Sequence, residues 1–174
     1  MIKNNNILLR AIEPQDISLL YNWENQMDLW VVSNTLTPFS KHQLEKYVKH
    51  SSLDIYQTKQ LRLMIDVKNT YEHNETTGMI DLFDLDPYHQ RAGVGIMIHQ
   101  KFRNRGIADA ALKTFVHYCF ENLGLHQLYC SISANNTISQ KLFENNGFNL
   151  IGIKRDWLKT SEGYLDELFY QLIH

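Results

Sequence analysis

Apolar and polar positions along the chain follow two alternating periods, one typical of strands and one typical of helices. Short apolar runs, bounded by Gly, Asn, Asp or Pro, predict strands. We predict seven of them, over Ile7–Ile12, Leu61–Val67, Gly78–Leu85, Ala92–Ile98, Leu128–Ile132, Phe148–Arg155 and Leu165–Ile173. The polar segment Lys68–Glu75 joins the second and third of these strands as a hairpin turn.

Four segments have apolar residues spaced three and four apart, which predicts amphipathic helices. They run from Pro14 to about Trp23, from Ser40 onward, from Gly106 to Gly124, and over Asn136–Asn145. Ser40-x-x-Gln43 is a capping box. Because strands and helices are intermixed, with hairpins early and helical crossovers late, we expect an α/β (α+β) fold. It has one mixed, mainly antiparallel, twisted sheet of about seven strands flanked by about four helices.

The composition is that of one globular domain, residues 1–174, with 44% apolar and 21% charged residues. A net charge of −2 gives no electrostatic reason to expect nucleic acid, and no run approaches the roughly 18 apolar residues of a membrane span. Met1–Asn6 lacks the apolar segment of a signal peptide. Cys119 and Cys130 each lie in an apolar run, which favours reduced core cysteines over a disulfide. We therefore expect a cytoplasmic protein.

The most informative stretch is Ile96–Ala108, where a short apolar strand leads through a basic loop directly into a helix. The first turn of a helix has backbone N–H groups without partners and the positive end of the helix dipole. Gly106 lets the backbone approach a bound group, and Arg103 and Arg105 add charged donors. This arrangement predicts a site for a diphosphate. No P-loop is present, and Gly93-Val94-Gly95 lacks the third glycine of a dinucleotide-binding motif.

What remains is Arg103-x-x-Gly106-x-Ala108, which resembles the Gln/Arg-x-x-Gly-x-Gly/Ala pyrophosphate loop of the GCN5-related N-acetyltransferases. The resemblance extends along nearly the whole chain, and most closely to the branches that acetylate ribosomal-protein N-termini and spermidine or diamines. The other matching segments, in order, are Leu8-Leu9-Arg10 with Pro14-x-Asp16, Asn22–Asn25, Thr77–Leu82, Arg91–Ile96, Asn136–Phe148 and Tyr164–Glu167.

The resemblance implies acetyl-CoA as co-substrate and no metal ion. The pyrophosphate would bind the loop and helix start, residues Arg103, Asn104, Arg105, Gly106, Ile107 and Ala108. The strand residues Ile96, Met97 and Ile98 would splay from their neighbour and pair with the pantetheine arm. The alternative is a plain buried strand, and both descriptions can hold together. Asn136 would also bond the arm, although an N-cap role explains it equally well.

The position that holds a tyrosine in many relatives, the acid for the thiolate, is Phe143 here. Ser139, one turn earlier, is an alternative proton donor to the sulfur and a further contact of the cofactor. Its hydroxyl could instead bond its own helix, and a CoA thiolate can also leave without an acid. For the base we name Asp81, which shares a strand face with Met79 and Phe83. A structural salt bridge is its alternative role. His89, His99, Glu24 and water are weaker candidates.

The acceptor pocket should form from Trp23–Phe39, Asp84–Arg91 and Asp156–Gly163, lined by Trp30, Tyr88, Trp157 and Asp81. Trp30–Thr35 lacks the acidic cluster of polyamine-acetylating relatives. We therefore expect an acetyl-CoA-dependent N-acetyltransferase that acts by direct attack of a protein N-terminal α-amine or a small amine. The alternatives are a spermidine or diamine N-acetyltransferase, a non-catalytic CoA-binding module and, less favoured, a nucleotide-binding protein. The acceptor is then a small molecule or peptide, and a homo-oligomer stays open.

Overall fold

The computed structural model describes residues 1–4, 6–27, 30, 35–51, 53–68 and 74–174. In this part of the chain eight strands form one sheet, in the order β1-β2-β3-β4-β5-β6-β8-β7. The strands are β1 (Ile2–Asn4), β2 (Ile7–Ala11), β3 (Leu61–Lys68), β4 (Asn74–Asp86), β5 (Arg91–Ile98), β6 (Gln127–Ser133), β7 (Asn149–Thr160) and β8 (Gly163–Ile173). All neighbours are antiparallel except β5 and β6, which are parallel.

Five α-helices lie within the described residues: α1 (Ile17–Glu24), α2 (Lys41–His50), α3 (Ile55–Thr58), α4 (Ile107–Glu121) and α5 (Thr137–Asn145). Two 3-10 turns precede α1 and α4, at Pro14–Asp16 and Gln100–Phe102. The predicted capping box opens α2. The Gln43 N–H donates to Ser40 Oγ at 3.1 Å, and the Ser40 N–H donates to Gln43 Oε1 at 2.7 Å. Among the described residues, every helix is too short or too polar to cross a lipid bilayer.

The two faces of the sheet carry separate hydrophobic cores. On one face, α4 and α5 pack their apolar stripes, with Phe115 and Phe143 fully or almost fully buried, against strand residues such as Ile80 and Val94. On the other face, α1 and α2 pack Trp23 and Leu44 against methionines of β3, β4 and β5. Among the described residues, no side chain of β6, β7 or β8 belongs to the second core. In the described part of the chain, that half of the second face is therefore open.

The fold class is confirmed. Among the described residues there are eight strands, one more than the expected count of about seven, because Ile2–Asn4 pairs with β2 along the edge of the sheet. This segment has no apolar alternation, so its pairing leaves no trace in the pattern. The described residues form five helices, one more than the expected count of about four, because α3 is a four-residue turn, too short to show a period. It begins where the Tyr56 N–H donates to Asp54 Oδ1 at 2.7 Å.

Most element boundaries lie within a few residues of their predicted positions. Strand β7 runs on to Thr160, five residues beyond the prediction. The first helix starts later than expected, because Pro14 opens a 3-10 turn before α1. Residues 69–73 of the predicted Lys68–Glu75 turn lie outside the described residues. Cys119 and Cys130 are free and buried, as predicted.

The central strands β5 and β6 separate, which creates the opening that positions the site. They pair only over Arg91–Gly93 and Gln127–Tyr129. Beyond this, the side of β5 that faces β6 has no strand partner among the described residues. Ala92 and Val94 are buried, whereas Gly95, Ile96 and Met97 are half-buried. Because the two strands are parallel, their carboxyl ends lie at the same edge of the sheet, and α4 and α5 both begin there.

Candidate active site

The loop from β5 to α4 presents an uncapped helix start. Two residues in the left-handed region, Asn104 (φ 60°) and Gly106 (φ 73°), turn the chain into the helix. No side chain caps this end, and the first helical N–H with a backbone acceptor is that of Ala110, which donates to the Gly106 carbonyl at 3.1 Å. A Cβ at Gly106 would meet nothing within 4 Å. The helix start therefore has both the free donors and the space that an anion needs.

Two arginines lie in the loop just before this helix start. Arg103 Nε donates to the Ile98 carbonyl at 3.0 Å, which holds the loop against the end of β5. The Arg105 guanidinium lies 5.7 Å from the centre of the Phe102 ring. We call the loop before α4 and the first turn of α4, residues 98–108, the anion-binding rim.

The one acidic residue in the first turn of α4, Asp109, is turned toward other partners. Lys113 Nζ donates to it at 2.8 Å and Asn146 Nδ2 at 2.9 Å. The Lys113 hydrogen bond, supported by that of Asn146, lowers the pKa of the Asp109 carboxyl from its ordinary value. Because Lys113 neutralises this charge locally, Asp109 opposes an anion at the rim only weakly.

The predicted strand residues Ile96, Met97 and Ile98 lie along the unpaired side of β5. Their side chains alternate between the two cores, so the backbone between them borders the opening. Glycine at position 78 allows β4 to approach here, because a Cβ would lie 2.1 Å from the Met97 carbonyl oxygen. At Gly93, a Cβ would lie 2.2 Å from the Phe83 ring, which indicates a packing role for that glycine.

The start of α5 lies across the opening from the start of α4. Asn136 Oδ1 accepts the Ser139 N–H at 3.2 Å, so Asn136 is the N-cap of this helix. Ser139 is half-buried, and its hydroxyl makes no hydrogen bond to any described residue. The serine hydroxyl is therefore available at the edge where the two helices begin. Phe143 packs edge-to-face on Phe148 in the first core, with ring centres 5.0 Å apart.

Asp81 is held in an ion-pair cluster and is not a free carboxylate. Arg62 donates to it twice, from Nε at 2.6 Å and from Nη2 at 2.9 Å, and also pairs with Glu24. Burial by itself lowers the pKa of Arg62, but Asp81 and Glu24 outweigh this and raise it, so the guanidinium stays charged. The salt bridge considered as the alternative for Asp81 is present. We call these three residues the Arg62 cluster.

The predicted acceptor aromatics are not brought together. The indole N–H of Trp30 donates to the Glu24 carbonyl at 2.7 Å, close to the Arg62 cluster. Tyr88 is 88% exposed on the turn before β5, at the opposite end of that strand from the rim. Trp157 is 60% exposed on β7. The other part of the predicted pocket, residues 28–29 and 31–34, lies outside the described residues.

A cleft of about 720 Å³ opens beside the Arg62 cluster, between α1, α2 and α3. Its walls include Phe39 and Tyr47, and the Arg62 guanidinium lies 5.4 Å from the centre of the Tyr47 ring. Glu24 and Arg62 form part of the wall. The predicted segment Trp23–Phe39 thus contributes to a cleft at this place, through its described ends.

A second ion pair flanks the opening on the β6 side, and sequence reasoning missed it. Lys154 Nζ donates to Glu167 Oε2 at 2.7 Å. Ser133 pairs with Glu167, so the ion pair lies at the carboxyl end of β6. A charged residue inside a predicted apolar strand, as Arg62 and Glu167 both are, is the signal that could have found these clusters.

Three comparisons with known proteins bear on this site. A family model described as an acetyltransferase (GNAT) domain matches residues 6–149. The putative ribosomal N-acetyltransferase YdaF of Bacillus subtilis is 32% identical over 96 residues, 55% of this chain and 52% of that protein. The alignment therefore spans about half the length of that relative. Spermidine N(1)-acetyltransferase of Vibrio cholerae is 25% identical over 172 residues, 96% of this chain and 86% of that protein.

Solved structures share the fold. The Vibrio cholerae spermidine N-acetyltransferase in complex with CoA and spermine has a TM-score of 0.85 at 22% identity, covering 98% of this chain and 96% of that one. A dodecameric structure of the same enzyme has a TM-score of 0.77 at 22% identity, covering 98% and 95%. At this identity the likeness shows the fold alone.

Proposed function

The chain belongs to the GNAT acetyltransferase family, and we propose that the amine it acetylates from acetyl-CoA is a single α-amine, as at a protein N-terminus, or a small amine. The observation that carries the proposal is the uncapped start of α4 beside the unpaired side of β5. Together these features offer donors for a diphosphate and backbone groups for an extended amide-containing arm.

The rim fits the diphosphate of CoA. The free N–H groups of the first turn and the cations Arg103 and Arg105 would hold it, with Gly106 leaving space for close approach. Asn104 would contribute through the left-handed turn before the helix. The backbone of Ile96–Ile98 would pair with the pantetheine arm, and an N–H there could stabilise charge on the thioester oxygen.

The reaction is a direct transfer. The lone pair of the acceptor nitrogen forms a bond to the acetyl carbonyl carbon, and the carbon–sulfur bond breaks. One proton leaves the nitrogen and one is gained by the departing thiolate. Ser139, whose hydroxyl has no hydrogen bond to any described residue, is our donor to the sulfur. Asp81 would serve as base only after Arg62 releases one of its oxygens, so water is the simpler route for the proton from nitrogen.

The charges on the two sides of the opening between β5 and β6 support an acceptor with one amine. Arg62 pairs with both Asp81 and Glu24, which leaves one net negative charge in that cluster, and Lys154 neutralises Glu167. A polycation therefore gains less attraction there than at a cluster of unpaired acidic residues. The attacking nitrogen must also be neutral, which favours an α-amine with a pKa of about 8 over a polyamine nitrogen with a pKa near 10.

A spermidine or diamine acceptor is the second candidate, favoured by the relatives with that name. Their dodecameric structure also favours a homo-oligomer for this chain. A non-catalytic CoA-binding module is the third, because Phe143 cannot donate a proton. The two free, buried cysteines support the expected cytoplasmic location.

The test is a panel of acceptors with acetyl-CoA, followed by release of free thiol. The panel contains peptides with free N-termini, single small amines, an amino sugar and spermidine, at about pH 7.5 and moderate salt. We expect a higher kcat/KM for an α-amine or a small amine than for spermidine. A higher value for spermidine than for every other acceptor would replace the proposal with the polyamine alternative. Tight CoA binding without any turnover would favour the module.

A further inference from the structure

The ammonium of Lys154 lies in a cage made by four other side chains. Its Nζ is 2.7 Å from Glu167 Oε2 and 3.4 Å from Ser131 Oγ. It also lies 5.1 Å from the centre of the Trp157 ring and 5.5 Å from that of Phe169. A carboxylate, a hydroxyl and two aromatic faces are the groups that bind an ammonium ion. We call this arrangement the Lys154 cage.

An irregularity in β7 builds the cage. Lys154 pairs with Glu167 and Leu158 with Leu165, so β7 has two extra residues in this interval. Asp156, at φ 49°, lies in the extra segment, and its N–H donates to Asp166 Oδ1 at 3.0 Å. Bulges of this kind redirect side chains. Here the bulge carries Trp157 back toward Lys154, so the cage is a consequence of local backbone geometry.

Strand register places the cage beside the opening between β5 and β6. Gly93 of β5 pairs with Tyr129 of β6. If this parallel register is extended along both strands, Gly95 lies opposite Ser131 and Met97 lies opposite Ser133. Asp81 pairs with Gly95 on one side, and Glu167 pairs with Ser133 on the other. The Arg62 cluster and the Lys154 cage therefore flank the same opening from opposite sides.

The cage also lies on the half of the second face that no helix among the described residues covers. Glu167 and Phe169 alternate along β8 with Leu168 and Tyr170, which pack in the first core. They consequently point to the side of α1 and α2, where the β6–β8 half of the sheet is open among the described residues. Glu167 is nevertheless buried, with its side chain 8% exposed, because Lys154 and the neighbouring rings cover it.

We propose that Lys154 determines acceptor specificity, because its ammonium fills a cation site that would otherwise hold the second ammonium of a diamine or polyamine. This inference rests on the proposed function, since it concerns the acceptor of that reaction. A buried carboxylate that loses its partner carries a large energetic penalty. Without the Lys154 charge, Glu167 and the two rings therefore bind a cation from solution, and the second ammonium of an acceptor supplies it.

The experiment compares two acceptors of equal carbon number, n-pentylamine and 1,5-diaminopentane, with the full chain and acetyl-CoA. In Lys154→Met we expect the ratio of kcat/KM for diamine to that for monoamine to rise about tenfold. Lys3→Met, which removes the same charge at the opposite edge of the sheet, should leave the ratio unchanged. The double variant Lys154→Met with Glu167→Gln should return it to the wild-type value, because the carboxylate is gone.

An unchanged ratio in a folded, active Lys154→Met enzyme overturns the inference. If Lys154→Met does not give a native circular dichroism spectrum, Lys154→Gln replaces it, since its amide still donates to Glu167 without a charge. If the wild type acetylates no amine, the proposed function fails, and the cage is tested by binding. Quenching of Trp157 fluorescence by 1,5-diaminopentane, with Trp157→Phe as the blank, should then show about tenfold tighter binding to Lys154→Met. Equal affinity for both proteins rejects the cage.

Discussion

The anion-binding rim and the acceptor face, which we define as the Arg62 cluster and the Lys154 cage, border the same opening but are built in different ways. The rim is made largely of backbone, with the free N–H groups of α4 and the left-handed Gly106 at its centre. The acceptor face is made of side chains that form ion pairs between different elements, in the Arg62 cluster and the Lys154 cage. A backbone site is fixed by local conformation, whereas a side-chain site changes with single residues. One fold can therefore keep one cofactor while its acceptor changes.

The largest effect should come from Arg62→Met, which removes the cation from the Arg62 cluster. Glu24 and Asp81 then face each other without a partner in a largely buried place. We expect the free energy of unfolding to fall by about 3 kcal/mol. Urea unfolding measures it, with Arg155→Met as the matched control. That arginine pairs with Asp166 but is 74% exposed, so its loss should amount to less than about 1 kcal/mol. Equal losses would show that the Arg62 cluster is no more than a surface ion pair.

Gly106→Asp, in the rim, should weaken CoA binding more than it lowers the free energy of unfolding. A carboxylate at the start of α4 repels a diphosphate and adds its own acceptors to the free N–H groups. Gly106→Asn is the control, because Asn tolerates the left-handed region equally well and has no charge. We expect the Kd for CoA, from calorimetry, to be about tenfold higher or more in the Asp variant than in the Asn variant. Equal affinities would remove the diphosphate from the rim.

Ser139→Ala tests the contribution of the α5 start, which lies between the two regions. If the hydroxyl donates to the sulfur, kcat should fall by about tenfold while KM for acetyl-CoA changes little. Ser18→Ala, on the exposed side of α1, provides the matched control. Steady-state kinetics with saturating acceptor measure both constants. A wild-type kcat in the Ser139 variant would exclude the serine from proton transfer.

The smallest effect should come from Asp109→Asn, which changes the charge balance of the rim and its link to α5. The folded-state pKa of Asp109 is lowered, so its ion pair stabilises the fold above the ordinary carboxyl value. This contribution is lost as the pH falls through the lower folded-state pKa. Because Asp109 and Lys113 are well exposed, we expect a loss of about 0.5 kcal/mol at pH 7 and a smaller loss at about pH 2, below the ordinary carboxyl pKa. Urea unfolding at both pH values measures it, with Glu162→Gln as control. A loss that is equal at both pH values would assign the effect to something other than charge.

The same contrast explains how much the sequence could predict. The rim lies within a few consecutive residues, so Gly106 and its flanking arginines were visible without any knowledge of the sheet. The fold could be predicted because most elements are long enough to show an apolar period. The three-residue strand β1 and the four-residue helix α3 could not be predicted, because they are too short to show one.

The acceptor face could not be predicted, because its partners meet only through strand register. Arg62 and Asp81 lie 19 residues apart, and Lys154 and Glu167 lie 13 apart. In the second pair, the position of Trp157 also depends on a bulge that contains Asp156 at positive φ. The sequence indicates the carboxylate of Asp81 on a strand face, but it does not indicate Arg62, its partner on the neighbouring strand.

Because its two thiols are buried, the folded enzyme should not react with reagents that titrate sulfhydryl groups. Cys119 is completely buried and Cys130 is 2% exposed, and burial raises the pKa of both thiols, which keeps them protonated. Since the thiolate is the reactive species, a disulfide reagent in a continuous assay reports only the CoA that turnover liberates. Without substrate, the rate at which the same reagent reacts with the protein measures the rate of global opening. Both cysteines react only when the core around α4 and β6 is exposed.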